Sequence, residues 1–110
     1  MIGKIRALCE IVTTDYKVGD IVDTRVKIVM PIERGNRVDK VTKEKIAPYF
    51  LKRVDIFYNA EKLYQFHMDL AMTSSPEIYF KVKVVGNGLL KAEFFDSNEK
   101  RLIIKECLIK

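Results

Sequence analysis

An all-β fold, arranged as an antiparallel sandwich of about seven strands, is predicted by three features of the chain. Apolar residues recur at every second position through most of it, turn residues interrupt that alternation at short intervals, and no segment sustains helical spacing. The first strand runs through Ile5, Ala7, Cys9 and Ile11, which share a face against Arg6 and Glu10. After a turn at Lys17-Val18-Gly19-Asp20, the second is cleaner. Val22, Thr24, Val26, Ile28 and Met30 face one way, and Asp23, Arg25 and Lys27 the other, as in a strand with one side in a core. Pro31 ends it, because proline has no N–H to give to a sheet ladder.

The connection from Pro31 to about Leu51 is long for a compact domain, and such connections are commonly functional or partly structured. Pro48 interrupts its second half, Val41 to Leu51, leaving room there for at most a short helical turn. Val54, Ile56 and Tyr58 then alternate with Arg53 and Asp55. Asn59-Ala60-Glu61-Lys62 turns the chain back through Tyr64, Phe66, Met68 and Leu70, forming a hairpin. Ile78, Phe80, Val82 and Val84 oppose Tyr79, Lys81 and Lys83; Gly86-Asn87-Gly88 reads as a hairpin turn into Leu90, Ala92 and Phe94, which oppose Lys91 and Glu93. Asp96 to Lys100 has turn chemistry, and Leu102 to Ile109 forms the last strand. Two half-apolar sheets can bury their faces only against each other, so an immunoglobulin-like sandwich is the expected solution.

At 110 residues the chain suits a single domain over 1–110, and 48% hydrophobic with 32% charged residues argues against disorder. No apolar run approaches the roughly 20 residues that span a bilayer. Glu10 and Asp15 interrupt the start where a signal peptide would need an apolar core, so no export signal of its own is expected. A formal charge of +5 would suit an anionic partner, but bases and acids mostly interleave. Only Arg34 to Arg53 concentrates bases, as Arg34, Arg37, Lys40, Lys43, Lys45, Lys52 and Arg53 against Glu33, Asp39 and Glu44. That segment reads either as a solvated loop or as a docking surface for an acidic protein or small anion. Most aromatics fall on apolar strand faces, Tyr79 and Phe95 being the exceptions, so no base-stacking platform is expected and neither nucleic acid nor membrane is the anticipated partner.

His67 is the only histidine, which excludes sites needing several imidazoles. Alternation places it with Gln65 and Asp69 on a polar face, with no serine or cysteine nucleophile beside it. Gly86-Asn87-Gly88 precedes no helix and therefore cannot act as a phosphate loop. Catalytic, cofactor-binding and metal-binding residues are accordingly read as none, and an enzyme is not expected. Cys9 falls on a core face, where a free cysteine is a small hydrophobe, and Cys107 sits among Ile103, Ile104, Leu108 and Ile109. If the first and last strands are neighbours, the two could instead be joined as a disulfide. The exposed face of Tyr79, Lys81 and Lys83, extended by Lys91, Glu93 and Phe95 from the next strand, mixes aromatic and basic groups as partner surfaces do.

The order and spacing of several segments carry a likeness. Lys17-Val18-Gly19-Asp20, the strand ending Met30-Pro31-Ile32-Glu33-Arg34-Gly35, the basic loop, the turn at Tyr58-Asn59-Ala60-Glu61-Lys62, and Ala71 to Val84 with Ser75-Pro76 together resemble the SoxZ family over nearly the whole chain. The resemblance implies a non-catalytic subunit of the SoxYZ sulfur carrier complex. Such a subunit binds SoxY, whose cysteine in a glycine-rich C-terminal arm carries the sulfur substrate during thiosulfate oxidation, and meets other Sox enzymes transiently. It further implies a periplasmic location reached by co-export with a signal-bearing SoxY. Two departures stand out: Met30 occupies a position commonly histidine in the family, and Asn59-Ala60 replaces Asn-Gly, with altered turn geometry expected. The candidate docking segment is Met30, Pro31, Glu33, Arg34 and Gly35 with Arg37 beyond it; the candidate carrier interface is Tyr79, Lys81, Lys83, Lys91 and Phe95. Self-association of the isolated subunit is left open by the sequence. The alternative is a freestanding sandwich module for adhesion or assembly, without sulfur chemistry.

Overall fold

A computed structural model describes residues 5–33, 38–71 and 75–109, the side chains of 69–71 excepted. Its strands are β1 (Arg6–Ile11), β2 (Ile21–Val29), β3 (Leu51–Tyr58), β4 (Glu61–Ala71), β5 (Glu77–Lys83), β6 (Gly88–Asp96) and β7 (Arg101–Ile109). They form two antiparallel sheets, ordered β1-β2-β5 and β4-β3-β6-β7, and no helix occurs among the described residues. This is the expected immunoglobulin-like sandwich, in the arrangement where the fourth strand stays beside the third instead of joining the first two.

Alternation within each strand explains the core. Val22, Thr24, Val26 and Ile28 of β2, with Met30 just beyond, are all buried. They form one cluster with Val54, Ile56 and Tyr58 of β3 and Leu90, Ala92 and Phe94 of β6, the central strands of the facing sheet. One inward group does not fit this apolar setting: the Thr24 hydroxyl is buried and has no hydrogen-bond partner.

Two local expectations are corrected, and a third is given its bounds. Gly86-Asn87-Gly88 is not a hairpin turn, since β5 and β6 belong to different sheets and the chain crosses between layers there. The Tyr58 hydroxyl pins this crossing by accepting from the Val85 N–H at 3.2 Å and donating to the Gly86 carbonyl. Gly88 has to be glycine, because a Cβ there would sit 2.5 Å from the Asn59 amide and 2.6 Å from the Tyr58 ring. Val41 to Leu51 holds no helix beyond the end of one turn, within the expected limit, and isolated bridges pair Glu33 with Tyr49 and Val38 with Lys45. That turn spans Asp39 to Lys43 and is closed by the Lys43 N–H donating to the Asp39 carbonyl at 2.9 Å.

The second correction concerns the β3–β4 turn. Asn59 and Ala60 have φ of 50° and 72°, the two left-handed residues that a tight two-residue hairpin requires. Replacing Asn-Gly with Asn-Ala therefore keeps the turn geometry, at the cost of holding an alanine in a region its Cβ disfavours by about 1–2 kcal/mol. The neighbouring ladder supports it: Asn59 receives the Leu89 N–H on its Oδ1 at 3.0 Å and donates its own N–H to the Leu89 carbonyl at 3.0 Å.

Two substitutions test this account by urea unfolding. Ala60→Gly removes the turn strain and is expected to stabilise the protein by about 1 kcal/mol. Thr24→Val removes an unpaired buried hydroxyl and should stabilise it by a comparable amount, about 1 kcal/mol or more. Destabilisation in either variant contradicts the corresponding local reading.

Candidate functional site

The outer face of the three-stranded sheet is built by the residues that alternate with the core. In register, Asp23 lies opposite Lys81, Arg25 opposite Tyr79, and Ile21 opposite Lys83. Charges of opposite sign sit side by side: Lys81 Nζ lies 2.7 Å from Asp23, Arg25 2.8 Å from Glu10 and 3.7 Å from Glu77, and Lys27 3.5 Å from Glu77. The Tyr79 hydroxyl donates to Glu77 at 3.0 Å. That bond, with Lys27 and Arg25 nearby, holds the Glu77 carboxyl below the usual carboxylate range. Exposed pairs of this kind are screened by solvent and add little to stability. Tyr79 stays 63% exposed, and Lys83 is exposed with no ion-pair partner among the described residues.

Sequence reasoning missed the groove beside this face. β5 and β4 are edge strands of different sheets, and between them lies an open depression of about 500 Å³ lined by Leu63, Tyr64, Lys81, Lys83 and Val85 among others. The Tyr64 hydroxyl spans it, donating to the Lys81 carbonyl at 2.6 Å. Val85 is 66% exposed and Ile21 63% exposed, so apolar groups stand among the lysines. Alternation could show that each residue points outward, but the groove exists only because two strands from different layers run side by side.

Lys91 and Phe95 do not extend this surface, which corrects the expectation that they share a face with Tyr79, Lys81 and Lys83. β6 belongs to the four-stranded sheet, and its outward residues lie on the opposite side of the sandwich. There both are already engaged. The Arg53 guanidinium stacks 4.0 Å above the Phe95 ring, and Lys91 pairs with Glu93 at 3.3 Å and lies 4.9 Å from the Phe57 ring centre. Asp55 and Glu93 are directly paired across β3 and β6, a repulsive arrangement offset by Arg53, Lys62, Lys91 and Arg101 within 3.2–3.6 Å. His67 is exposed on this side, its Nε2 3.3 Å from the Gln65 side chain, and the Asp69 side chain is outside the described residues.

The docking segment divides. Met30 is 2% exposed and belongs to the core, so it cannot serve as a contact residue; alternation along β2 carries its side chain inward. Pro31 and Glu33 are half-buried, and Glu33 is held by paired backbone bonds of 2.7 and 2.8 Å to Tyr49. Arg34, Gly35 and Arg37 lie outside the described residues. Lys52 and Arg53 belong to β3, not to the loop. Lys40, Lys43 and Lys45 are exposed around the turn at Asp39.

Two aspartates order this excursion. Asp39 Oδ1 accepts the N–H groups of Val41 at 2.8 Å and Thr42 at 3.0 Å, which lowers its carboxyl pKa. Asp96, 4% exposed, accepts the N–H groups of Asn98 and Lys100 at 2.9 Å on one oxygen and the Tyr49 hydroxyl at 3.1 Å on the other. The base of the excursion is thereby fastened to the β6–β7 turn. Burial, then the bond to Asp96, raises the Tyr49 phenol pKa. No group of three or more His, Cys, Asp or Glu able to hold a metal occurs among the described residues.

A family model described as "Sulphur oxidation protein SoxZ" matches residues 11–102. No curated protein matches the chain. Among solved structures, a superoxide reductase (neelaredoxin) from Ignicoccus hospitalis is similar, with a TM-score of 0.61 at 14% identity over 93% of this chain and 77% of that one. At that identity the likeness shows the fold alone.

The Asp39 turn carries a pH dependence. Its folded pKa lies below the unfolded value, so the contribution is fully present above about pH 4 and is lost as pH falls through the lowered value. The Val41 and Thr42 amide proton resonances are expected to shift together with a midpoint below about 3.9. Insensitivity of both amides between pH 5 and pH 2 contradicts the turn.

Proposed function

We infer the role of this protein from its family: the chain belongs to the SoxZ family, and so to the Sox system of sulfur oxidation. Within that system we propose a non-catalytic subunit that binds a cysteine-bearing carrier chain, the SoxY-like partner, and presents it to Sox enzymes during thiosulfate oxidation. The observation that carries this reading is the extent of the family match, which runs from the end of β1 to the start of β7 and so takes in both sheets. On this reading the sulfur-bearing cysteine belongs to the partner, and the complex acts in the periplasm, reached by co-export with a signal-bearing partner.

The outer face at β5 and the groove beside it are the proposed carrier interface. They supply an exposed aromatic, Tyr79, apolar Val85 and Leu63, and the cations Lys81 and Lys83. Interfaces combine such anchors with a polar rim. The basic excursion around Lys40, Lys43 and Lys45 is the proposed site for transient enzyme docking, on the strength of its exposed cations and its fixed base.

Co-expression with a carrier subunit bearing a glycine-flanked C-terminal cysteine tests both levels. Co-purification of the wild-type pair is expected; failure to associate favours a freestanding assembly module. Lys83→Glu is the clean probe of placement, since Lys81→Glu also sets a second acid face to face with Asp23. The double variant Lys81→Glu with Lys83→Glu should weaken binding about tenfold or more, equal to about 1.4 kcal/mol or more. Undiminished binding of the variants moves the interface away from β5.

A further inference from the structure

The long side of the sandwich opposite the groove is closed by side chains alone. β1 and β7 are the edge strands of different sheets and share no ladder. Cys9 lies opposite Val26, and Cys107 opposite Leu90, both core residues, so both thiols point between the layers. They meet there: Sγ to Sγ is 3.2 Å, across 98 positions of sequence, and neither is in a disulfide. Hydrophobic packing does not require two cysteines in contact, and no metal-binding group of three donors occurs among the described residues.

We propose that Cys9 and Cys107 form a reversible dithiol–disulfide couple that staples the first strand to the last across this edge. The two sites differ in the way the chemistry needs. Cys9 is 6% exposed, whereas Cys107 is half-buried on a strand whose residues Ile104 to Glu106 are exposed. The contact with Cys107, then burial, raises the Cys9 pKa, and the same contact lowers that of Cys107. Lys105 and Glu10 are the charged groups that bear on the pair, with opposite effects on Cys9. Cys107 is therefore the attacking thiol and Cys9 the resolving one.

The oxidant is an external disulfide, either a low-molecular-weight one or that of an oxidoreductase. The Cys107 thiolate attacks one of its sulfurs, forming a mixed disulfide and expelling one thiolate. Cys9 then gives up its proton, attacks Cys107 Sγ and expels the second. The product is one intramolecular disulfide; the protein loses two protons and two electrons, and the external disulfide becomes two thiols. The cross-link closes nearly the whole chain into one loop, the case in which chain-entropy arguments give the greatest stabilisation.

The experiment is a glutathione redox series on the full chain, read by intact mass after alkylation in denaturant and by thermal unfolding. The expected oxidised form is a monomer two hydrogens lighter with no alkylated thiol, melting about 10 °C or more above the reduced form. In the variants, Cys9→Ala should accumulate a Cys107–glutathione mixed disulfide under native conditions, and Cys107→Ala should leave Cys9 unmodified. Two alkylated thiols after oxidation, intermolecular dimers, or an unchanged melting temperature overturn the staple. Preferential glutathione capture at Cys9 overturns the assigned order of attack. These readouts need no partner chain and are independent of the carrier reading.

Discussion

The meeting of three inner faces, that of β2 with those of β3 and β6, is the constraint on which the rest of the molecule depends. Val22, Val26 and Ile28 on one side and Val54, Ile56, Leu90 and Ala92 on the other are fully buried, so each of these strands has a fixed rotation about its own axis. With a side-chain period of two, slipping any one of them by a residue would turn its apolar set to solvent and its charges inward. The outward positions follow without further choice. Asp23, Arg25 and Lys27 must lie on one surface, and Arg53, Asp55 and Phe57 on the other. Both candidate surfaces are by-products of the core's register.

That dependence explains what the sequence made legible. Alternation is a local signal, and it placed Met30 inward, His67 outward and the apolar side of the described residues in β1 to β6 correctly. It contains no information about which sheet a strand joins. Consecutive alternating strands around Gly86 and Gly88 looked like a hairpin, and Lys91 and Phe95 were accordingly set beside Lys81 and Lys83. The chain instead changes layer there, held by the Tyr58 hydroxyl from a strand almost thirty positions earlier. The groove of Leu63, Tyr64 and Val85 was unreadable for the same reason. Met30 shows the opposite case: its place in a family segment suggested docking, while its own strand parity already assigned it to the core.

Polar groups show a second limit. Asp96 was legible as a turn residue, and it does receive two turn N–H groups. Its second oxygen takes the Tyr49 hydroxyl, a contact between segments 47 positions apart that no local pattern encodes. The same holds for Cys9 and Cys107, whose neighbourhood depends on two sheet edges converging. Turn chemistry, strand parity and apolar periodicity thus recover the elements, and long-range convergence decides what they do together.

The layer change at Gly86 to Gly88 has a consequence for reach. It puts the surface bearing Lys81 and Lys83 and the surface bearing Lys91 and Phe95 back to back, on a body whose shorter dimensions are 22 and 20 Å. A flexible peptide spans at most about 3.3–3.6 Å per residue, so a tether rooted on one surface needs roughly six or seven residues to pass around the flank to the other. Under the proposed carrier interface at β5, an arm of that length could be offered on either side of this subunit, whose thickness sets the shortest useful arm.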